Sequence, residues 1–233
     1  MKTATNEIAE RLATVRERIA NACARAHREV ASVRLVLASK TQPPDAIAAA
    51  YAAGARDFGE NYVQEAIAKR SALVDLSDAR WHLIGHLQSN KARTAVENFD
   101  LIHTLDSARL ANALARVRPS PPIPVLIEVN LGGEASKSGV PPDAVAPLLH
   151  SVRDLHDGID VRGLMTVPPP ADNLDAAHRW FAQLRELRDR LATATGLALT
   201  ELSMGMTEDY EAAIEEGATI VRVGRAVFGE RLR

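Results

Sequence analysis

The feature that most constrains the fold is an alternation of short apolar segments with helical segments, which repeats eight times along the chain. The apolar segments are rich in β-branched residues and are bounded by turn residues, which is typical of buried strands in a parallel sheet. The segments between them are rich in alanine, leucine and charged residues and have helical periodicity. The predicted strands occupy residues 33–39, 55–59, 80–85, 99–105, 123–130, 161–167, 199–204 and 219–224.

Strands that alternate with helices imply parallel pairing through right-handed crossovers. Eight such units in a chain of 233 residues predict an α/β fold, a single closed (β/α)₈ TIM barrel. An open, doubly wound sheet is the alternative. Because no linker divides the chain, we expect one domain over residues 1–233, with an extra N-terminal helix in residues 1–31 and the barrel in residues 33–233.

Charge and cysteine content exclude several classes of protein. The net charge of −2 offers no electrostatic reason for binding nucleic acid or an anionic membrane. No stretch reaches the roughly 18 apolar residues of a membrane span, and the first residues are too polar for a secretory signal. The single cysteine, Cys23, cannot form an internal disulfide, so a reducing compartment is the default. We therefore expect a cytoplasmic protein.

A barrel carries its active residues where the strands end, because the loops after the strands build the site on that face. Small and polar residues are concentrated at these positions in the sequence, after apolar strand bodies. They include Lys40, residues 59–61, residues 86–90, Asn130, residues 165–166, residues 203–205 and Gly224.

Lys40 ends the apolar segment LVLASKTQPP, residues 35–44. An ε-amine is nucleophilic only when it is uncharged, and burial at the top of a barrel disfavours the ammonium form. Such an amine can form a Schiff base with an aldehyde. The alternative is a lysine whose amine extends from the strand end into water.

The ends of the last two predicted strands resemble a phosphate site. In barrels this corner often binds a phosphate group through loop amides and the start of a helix. The segment SMGMT contributes the Ser203 hydroxyl and the Gly205 backbone before a helix that we expect to begin near Thr207, and Gly224 lies in the turn after the last strand. Together with Lys40, this corner suggests a phosphorylated aldehyde as the ligand.

Eight ordered motifs resemble those of the pyridoxal phosphate homeostasis protein family, over about residues 33–231. Proteins of this family are barrels similar to the cofactor domain of alanine racemase, the fold type III of pyridoxal phosphate proteins. The motifs are ASKTQP, FGENYVQEA, WHLIGHLQSNK, LIHTLDS, VNLGGEASKSG, RGLMTVP, LSMGMTEDYEAAIEEGAT and VRVGRAVFGER.

The resemblance implies pyridoxal 5′-phosphate as cofactor, bound as an internal aldimine on Lys40. It also implies that Ser203 and the Gly224–Arg225 turn hold the phosphate and that Arg222 faces the pyridine nitrogen, keeping it unprotonated because a second positive charge beside the guanidinium is unfavourable. An ion pair within the barrel is the alternative role for Arg222, and a helix cap is the alternative for Asn61. The expected cofactor-binding residues are Lys40, Asn61, Ser203, Met204, Gly205, Arg222, Gly224 and Arg225.

Two positions depart from the family pattern. Arg225 stands where the family often has threonine, so a hydroxyl is lost while the backbone amides remain. Whether Arg225 contacts the phosphate or points to solvent stays open. Thr207 replaces a commoner serine and preserves its hydroxyl.

Three histidines and two further polar residues are additional candidates for the site. His82 and His86 share one face of a predicted strand by its two-residue period, and His103 lies at the end of the next strand. Three histidines can bind zinc, but no cysteine or carboxylate pattern completes the set, so we expect no metal. We expect Asn130 to be a ring-side or loop-ordering amide. Lys137, in a loop above the same face, is either solvated or a second amine that could accept the aldehyde.

Two functions remain open. One is an enzyme, a small racemase-like protein acting on amino acids with pyridoxal phosphate. The other is a protein that binds the cofactor, buffers its free aldehyde and supplies it to proteins that require it. Racemisation needs an acid–base group on both ring faces, and in alanine racemase a further β domain supplies the second. This chain ends directly after its eighth unit, so we expect a monomeric binding protein in transient contact with apoenzymes, with no catalytic residues. A lysine aldolase acting on sugar phosphates ranks third.

Overall fold

Eight parallel strands form a closed barrel in a computed structural model that describes residues 2–117, 119–134 and 137–229, with side chains from residue 5. Each strand pairs with the next, and β1 closes the ring against β8. The strands are β1 (Arg34–Ala38), β2 (Asp57–Glu60), β3 (Arg80–Leu83), β4 (Leu101–Leu105), β5 (Ile123–Glu128), β6 (Ile159–Met165), β7 (Glu201–Ser203) and β8 (Ile220–Val223).

Helices surround the barrel and connect its strands. The prediction of a (β/α)₈ barrel is therefore confirmed, and the open sheet is wrong. The helices within the described residues are α1 (Lys2–Arg25), α2 (Pro44–Ala52), α3 (Val63–Ala72), α4 (Ala92–Asn98), α5 (Ala108–Ala115), α6 (Val145–Val152), α7 (Leu174–Thr195), α8 (Tyr210–Glu215) and α9 (Arg225–Phe228). Short 3₁₀ turns cover Val30–Ser32, Ser89–Lys91, Pro142–Ala144 and Arg153–Leu155.

The core has two parts because successive strand residues point to opposite sides of the sheet. Side chains that point outward meet the helices and form the larger apolar layer. The barrel interior holds a small apolar cluster of Val36, Leu101, Leu126, Met165 and Ile220. The strands also carry buried polar and charged residues, which include His82, His103, Ser203 and Arg222.

The N-terminal helix ends earlier than predicted, at Arg25. His27 adopts a left-handed conformation with φ of 53°, and the Arg28 amide donates to the Cys23 carbonyl at 2.8 Å. This is the hydrogen-bond pattern of a Schellman termination, which usually has glycine at the left-handed position. Because histidine stands there instead, the sequence did not mark the end of the helix.

Several further boundaries differ from expectation by up to three residues. Helix α8 begins at Tyr210 and not near Thr207, because the Met206 amide donates to the Asp209 carboxylate at 2.6 Å and residues 206–209 form a turn. Strand β3 ends at Leu83, two residues before its predicted end. The predicted domain includes residues 1, 118, 135–136 and 230–233, which lie outside the described residues, so its full extent stays a prediction. Over the residues that are described, no helix combines the length and apolar character needed to cross a membrane.

Candidate functional site

A cavity of about 970 Å³ opens at the carboxyl ends of the strands, and we call it the C-terminal cavity. This volume lies within the range of small-molecule sites, and this face of a barrel is where such sites are found. Loops after most of the strands contribute to its walls. The lining residues include Ala38, Lys40, Gln42, Asn61, Ile84, Glu134, Lys137, Val167, residues 168–171, Asn173, Leu174, Met206, Thr207, Glu208, Asp209, Arg222, Gly224 and Arg225.

Five of the eight residues predicted to bind a cofactor line this one cavity: Lys40, Asn61, Arg222, Gly224 and Arg225. They come from the ends of β1, β2 and β8, strands that are neighbours in the closed barrel. Residues separated by more than 180 positions therefore meet because β1 pairs with β8. This convergence is a property of the closed sheet.

The other three predicted residues, Ser203, Met204 and Gly205, lie outside the lining of the cavity. Ser203 is fully buried, and its hydroxyl lies 2.5 Å from Arg222 Nη1 and 2.8 Å from His103 Nδ1. Met204 points the opposite way and is fully buried in the outer core. Gly205 has φ of +89°, and a Cβ there would lie 2.5 Å from Ala213 Cβ. These residues support the site from beneath its surface.

Thr207, from the same SMGMT motif, does line the cavity. It lies in the turn of residues 206–209, beyond the end of β7. The sequence contained this signal, because threonine retains the hydroxyl of the serine that is commoner here. From the sequence, the phosphate contact was expected from Ser203, which carries the other hydroxyl of the motif and does not line the cavity.

Lys40 is anchored on both sides along the chain. The carbonyl of Ser39 accepts a hydrogen bond from Lys69 Nζ at 2.7 Å, and the Thr41 amide donates to Glu65 at 2.6 Å. Thr41 has φ of 65°, a left-handed conformation that is unfavourable for a β-branched residue. The hydrogen bond to Glu65 therefore stabilises a strained turn directly after Lys40.

The same anchoring groups form a largely buried ionic network, which was not predicted from the sequence. Lys69 Nζ lies 2.8 Å from Glu60 Oε1 and 2.7 Å from Glu65 Oε1, and the Ser39 hydroxyl donates to Glu60 at 2.6 Å. Burial raises the pKa of Glu60, against the hydrogen bonds from Lys69 and Ser39. Burial also acts to raise the pKa of Glu65, but the hydrogen bond from Lys69 helps to lower it overall. The signal present in the sequence is the i, i+4 pair of Glu65 and Lys69 on α3.

Arg222 supplies a buried positive charge to the cavity. Its side chain donates from Nη1 to Ser203 and from Nη2 to the Thr166 carbonyl at 2.8 Å. Burial lowers the pKa of this guanidinium to about 10, against the attraction of Asp209 and Glu128, so it is cationic at neutral pH. These two hydrogen bonds go to neutral oxygens. They are therefore not the ion pair within the barrel that was the alternative role for Arg222.

The turn at Gly224 and Arg225 brings backbone close to the end of β1. A Cβ at position 224 would lie 3.0 Å from the carbonyl oxygen of Ala38, so glycine allows this approach. Helix α9 begins at Arg225, and the first amides of a helix have no partner within it. The Arg225 side chain lies 3.0 Å from Glu208, and both side chains are exposed at the rim.

The remaining polar candidates fall into separate places. Lys137 lines the cavity and lies 2.5 Å from Glu134 Oε2, while Asn130 donates to the Glu134 carbonyl at 2.9 Å and so orders the same loop. Asn61 precedes Tyr62, which is the N-cap residue of α3, so Asn61 is not that cap.

The three histidines do not form one set. His82 and His103 are buried and contact each other at 3.0 Å. His86 lies beyond the end of β3, has a side chain 52% exposed and pairs with Asp106. The prediction that His82 and His86 share a strand face is therefore wrong. Among the described residues, no group of three or more histidine, cysteine, aspartate or glutamate side chains has a geometry suited to a metal ion.

Comparisons with known proteins show the family to which the chain is related. Residues 11–232 match the alanine racemase N-terminal domain family. The pyridoxal phosphate homeostasis protein of Pseudomonas aeruginosa is 47% identical over 226 residues, which is 96% of each chain. The protein of the same name from Aquifex aeolicus is 47% identical over 95% of this chain and 97% of its own. The chain belongs to the pyridoxal phosphate homeostasis protein family.

The structural comparison extends this membership to the fold. PipY of Synechococcus elongatus, solved with pyridoxal phosphate bound, superposes with a TM-score of 0.85 at 43% identity, covering 95% of this chain and 100% of PipY. The resemblance seen in the ordered motifs is thereby confirmed. The barrel described above is therefore similar to the barrel of PipY.

Proposed function

We propose that this protein binds pyridoxal 5′-phosphate in the C-terminal cavity, attached to Lys40, and that it stores and supplies the cofactor without turning over a substrate of its own. The observation that carries the proposal is the convergence of Lys40, Arg222 and the Gly224–Arg225 turn on one cavity. Relatives that bear the homeostasis name at 47% identity and a homologue solved with the cofactor support it.

The donor set of the cavity fits this cofactor. An aldehyde requires a primary amine, and Lys40 lines the cavity. A phosphate requires amides and hydroxyls, and the turn at Gly224 and the Thr207 side chain meet that need. A Cβ at position 224 would narrow the approach to the Ala38 carbonyl, so the glycine keeps this wall open.

Each residue has a physical task. Bound pyridoxal phosphate supplies an aldehyde that condenses with an amine and a ring that can accept electrons. The network of Lys69, Glu60 and Glu65 holds the backbone on both sides of Lys40, which orients its side chain. Thr207 and the turn at Gly224 would bind the phosphate end. The positive charge of Arg222 would disfavour protonation of the pyridine nitrogen.

The tyrosines support storage over turnover. All three lie among the described residues, and none lines the cavity. Tyr51 is in α2 and bonds to Asp78, Tyr62 is 64% exposed ahead of α3, and Tyr210 is 1% exposed beneath Arg18. None has the position of an acid–base group acting on a ring held by Lys40, which racemisation would require.

The test loads the purified protein with pyridoxal phosphate, reduces it with borohydride and maps the modified lysine by mass spectrometry. We expect a yellow protein, modification of Lys40 alone and no visible band in Lys40→Ala. A protein that cannot be loaded would refute the proposal. Incubating the loaded protein with amino-acid enantiomers separates the two functions, since inversion, decarboxylation or transamination at about 1 per second or faster would establish an enzyme.

We further propose that the protein acts in the cytoplasm as a monomer that transiently contacts apoenzymes. The buried thiol of Cys23, the single cysteine, supports a reducing compartment. One chain furnishes the whole donor set named above, which supports a monomer. Sedimentation of the loaded protein measures whether it is a monomer, and sedimentation with an apoenzyme measures whether the two proteins associate.

A further inference from the structure

Beneath the C-terminal cavity, five side chains form a continuous line of hydrogen bonds through the barrel, which we call the interior chain. It runs from Arg222 through Ser203, His103 and His82 to Asp57 at the start of β2. The successive distances are 2.5, 2.8, 3.0 and 3.0 Å. Every member is less than 9% exposed. The chain joins the floor of the cavity to the opposite end of the barrel.

Donor and acceptor chemistry gives this chain a direction. A guanidinium only donates, so the Ser203 oxygen accepts from Arg222 and its own proton is available for His103 Nδ1. With this direction, His103 would carry its proton on Nε2 and donate to His82 Nδ1. His82 would then carry its proton on Nε2 and donate to the Asp57 carboxylate.

The interior chain connects two buried charges of opposite sign. Arg222 is a buried cation whose hydrogen bonds go to neutral oxygens, and Asp57 is a buried anion. Burying either charge is costly unless it is solvated by aligned dipoles. In the direction given above, every donor between the two charges points from cation to anion and supplies such a dipole, and hydrogen bonds in a line strengthen one another.

The surroundings favour a neutral His103 ring and an ionised Asp57. Burial lowers the pKa of His103 well below its ordinary value. Burial acts to raise the pKa of Asp57, but hydrogen bonds from His82 and Arg80 outweigh it and lower the pKa. Arg80 lies 2.7 Å from Asp57 and Arg34 lies 3.9 Å away, so the end of the chain stays anionic.

We propose that Ser203, His103, His82 and Asp57 are positioning residues that hold the Arg222 guanidinium in one orientation on the floor of the C-terminal cavity. Asp57 acts from the far end of the barrel, through the two rings. The effect on bound pyridoxal phosphate rests on the proposed function. The contacts of the interior chain are present without the cofactor.

The first test uses the cofactor-free wild-type protein and measures the tautomers of its histidines by two-bond proton–nitrogen NMR. We expect both His82 and His103 to carry a single proton on Nε2 at neutral pH. A proton on Nδ1 of either ring, or a doubly protonated His82, would reverse part of the chain and overturn the proposal. This measurement needs no variant and no ligand.

The second test replaces Asp57 by asparagine, which keeps the shape and removes the charge. We expect the proton–nitrogen signals of the Arg222 guanidinium to shift, and the dissociation constant for pyridoxal phosphate to rise about three- to tenfold. Thr219→Val is the control, because it removes hydrogen bonds to Glu201 and Leu202 near the same end of the barrel but outside the chain. It should leave the Arg222 signals unchanged.

The outcomes separate the two proposals. Unchanged Arg222 signals in Asp57→Asn would overturn the positioning role, even if the protein binds pyridoxal phosphate. Shifted Arg222 signals in a protein that never binds the cofactor would uphold the chain and refute the proposed function. If Asp57→Asn does not fold, Ser203→Ala cuts the interior chain next to Arg222 and is read through the same signals.

Discussion

Lys69 Nζ lies 2.7 Å from the carbonyl oxygen of Ser39, the residue immediately before Lys40. A buried lysine on the helix after β2 thus holds the backbone of the proposed attachment lysine at the end of β1. The same amine contacts Glu60 and Glu65, and Glu65 binds the amide on the other side of Lys40. The geometry of Lys40 therefore depends on a neighbouring βα unit.

Replacing Lys69 by methionine should destabilise the protein, because the buried Glu60 and the half-buried Glu65 lose their cation. Breaking a buried ion pair in this way costs about 3 to 5 kcal/mol. Thermal unfolding measures the loss, with Lys91→Met as a control outside the network. Adding Glu60→Gln should recover part of the stability, since it removes one of the unpaired charges. A double variant no more stable than Lys69→Met would contradict the network as described.

Replacing Thr207 by valine should weaken the binding of pyridoxal phosphate about tenfold, because a hydrogen bond to a charged group is lost. Binding of pyridoxal, which lacks the phosphate, should not change. Thr207→Ser keeps the hydroxyl and serves as the control. Equal loss of affinity for both ligands would place Thr207 away from the phosphate.

Enlarging Gly224 should weaken binding in proportion to side-chain size. A Cβ meets the Ala38 carbonyl oxygen at 3.0 Å, which small backbone shifts can relieve in Gly224→Ala. Gly224→Val adds two methyl groups at the same wall and should bind pyridoxal phosphate more weakly still. Equilibrium dialysis of the three proteins gives the order, and equal affinities would exclude a close approach of the ligand to this turn.

Glu128, at the end of β5, should make stability depend on pH. Burial, followed by the charge of Asp106, raises the pKa of Glu128 from its ordinary value of 4.5 to about 7. Between these pH values the folded state binds more protons than the unfolded state, so the free energy of unfolding falls as pH rises. Glu128→Gln should therefore be more stable than wild type above pH 7, by on the order of 1 to 3 kcal/mol.

Denaturant unfolding at several pH values checks the Glu128 prediction. Near pH 4 the carboxyl is protonated in both states, so the advantage of the glutamine variant should disappear. An advantage that is the same at every pH would assign the effect to packing and not to ionisation.

Replacing Lys137 by alanine tests the second amine in the cavity. Lys137 and Lys40 line the same cavity, and the role proposed for Lys137 is to accept the aldehyde during release. We expect loading of Lys40 to be unchanged and transfer to an added acceptor amine to slow, as measured by the decay of the visible band. Lys137→Arg keeps the positive charge and should slow transfer as much as alanine. If neither variant changes release, Lys137 has no part in it.

The sequence by itself determined the barrel and the strand ends that build its site. Alternation of apolar strands with helices is local, and a residue at the end of a parallel strand lies on the site face whichever strands are its neighbours. This local rule is sufficient to place Lys40, Asn61 and Gly224 at the site, whereas Arg222 and Arg225 are assigned by the family resemblance.

Tertiary structure alone decided which side chains reach the cavity and which support it from below. The hydroxyl assigned to the phosphate from sequence, Ser203, points into the barrel and contacts His103, a residue 100 positions away, while Thr207 reaches the cavity. The pairing of Lys69 with Ser39 and the interior chain to Asp57 likewise join different strands. Such contacts depend on the stagger and closure of the sheet, and these come from the packing of the whole barrel and leave no local pattern in the sequence.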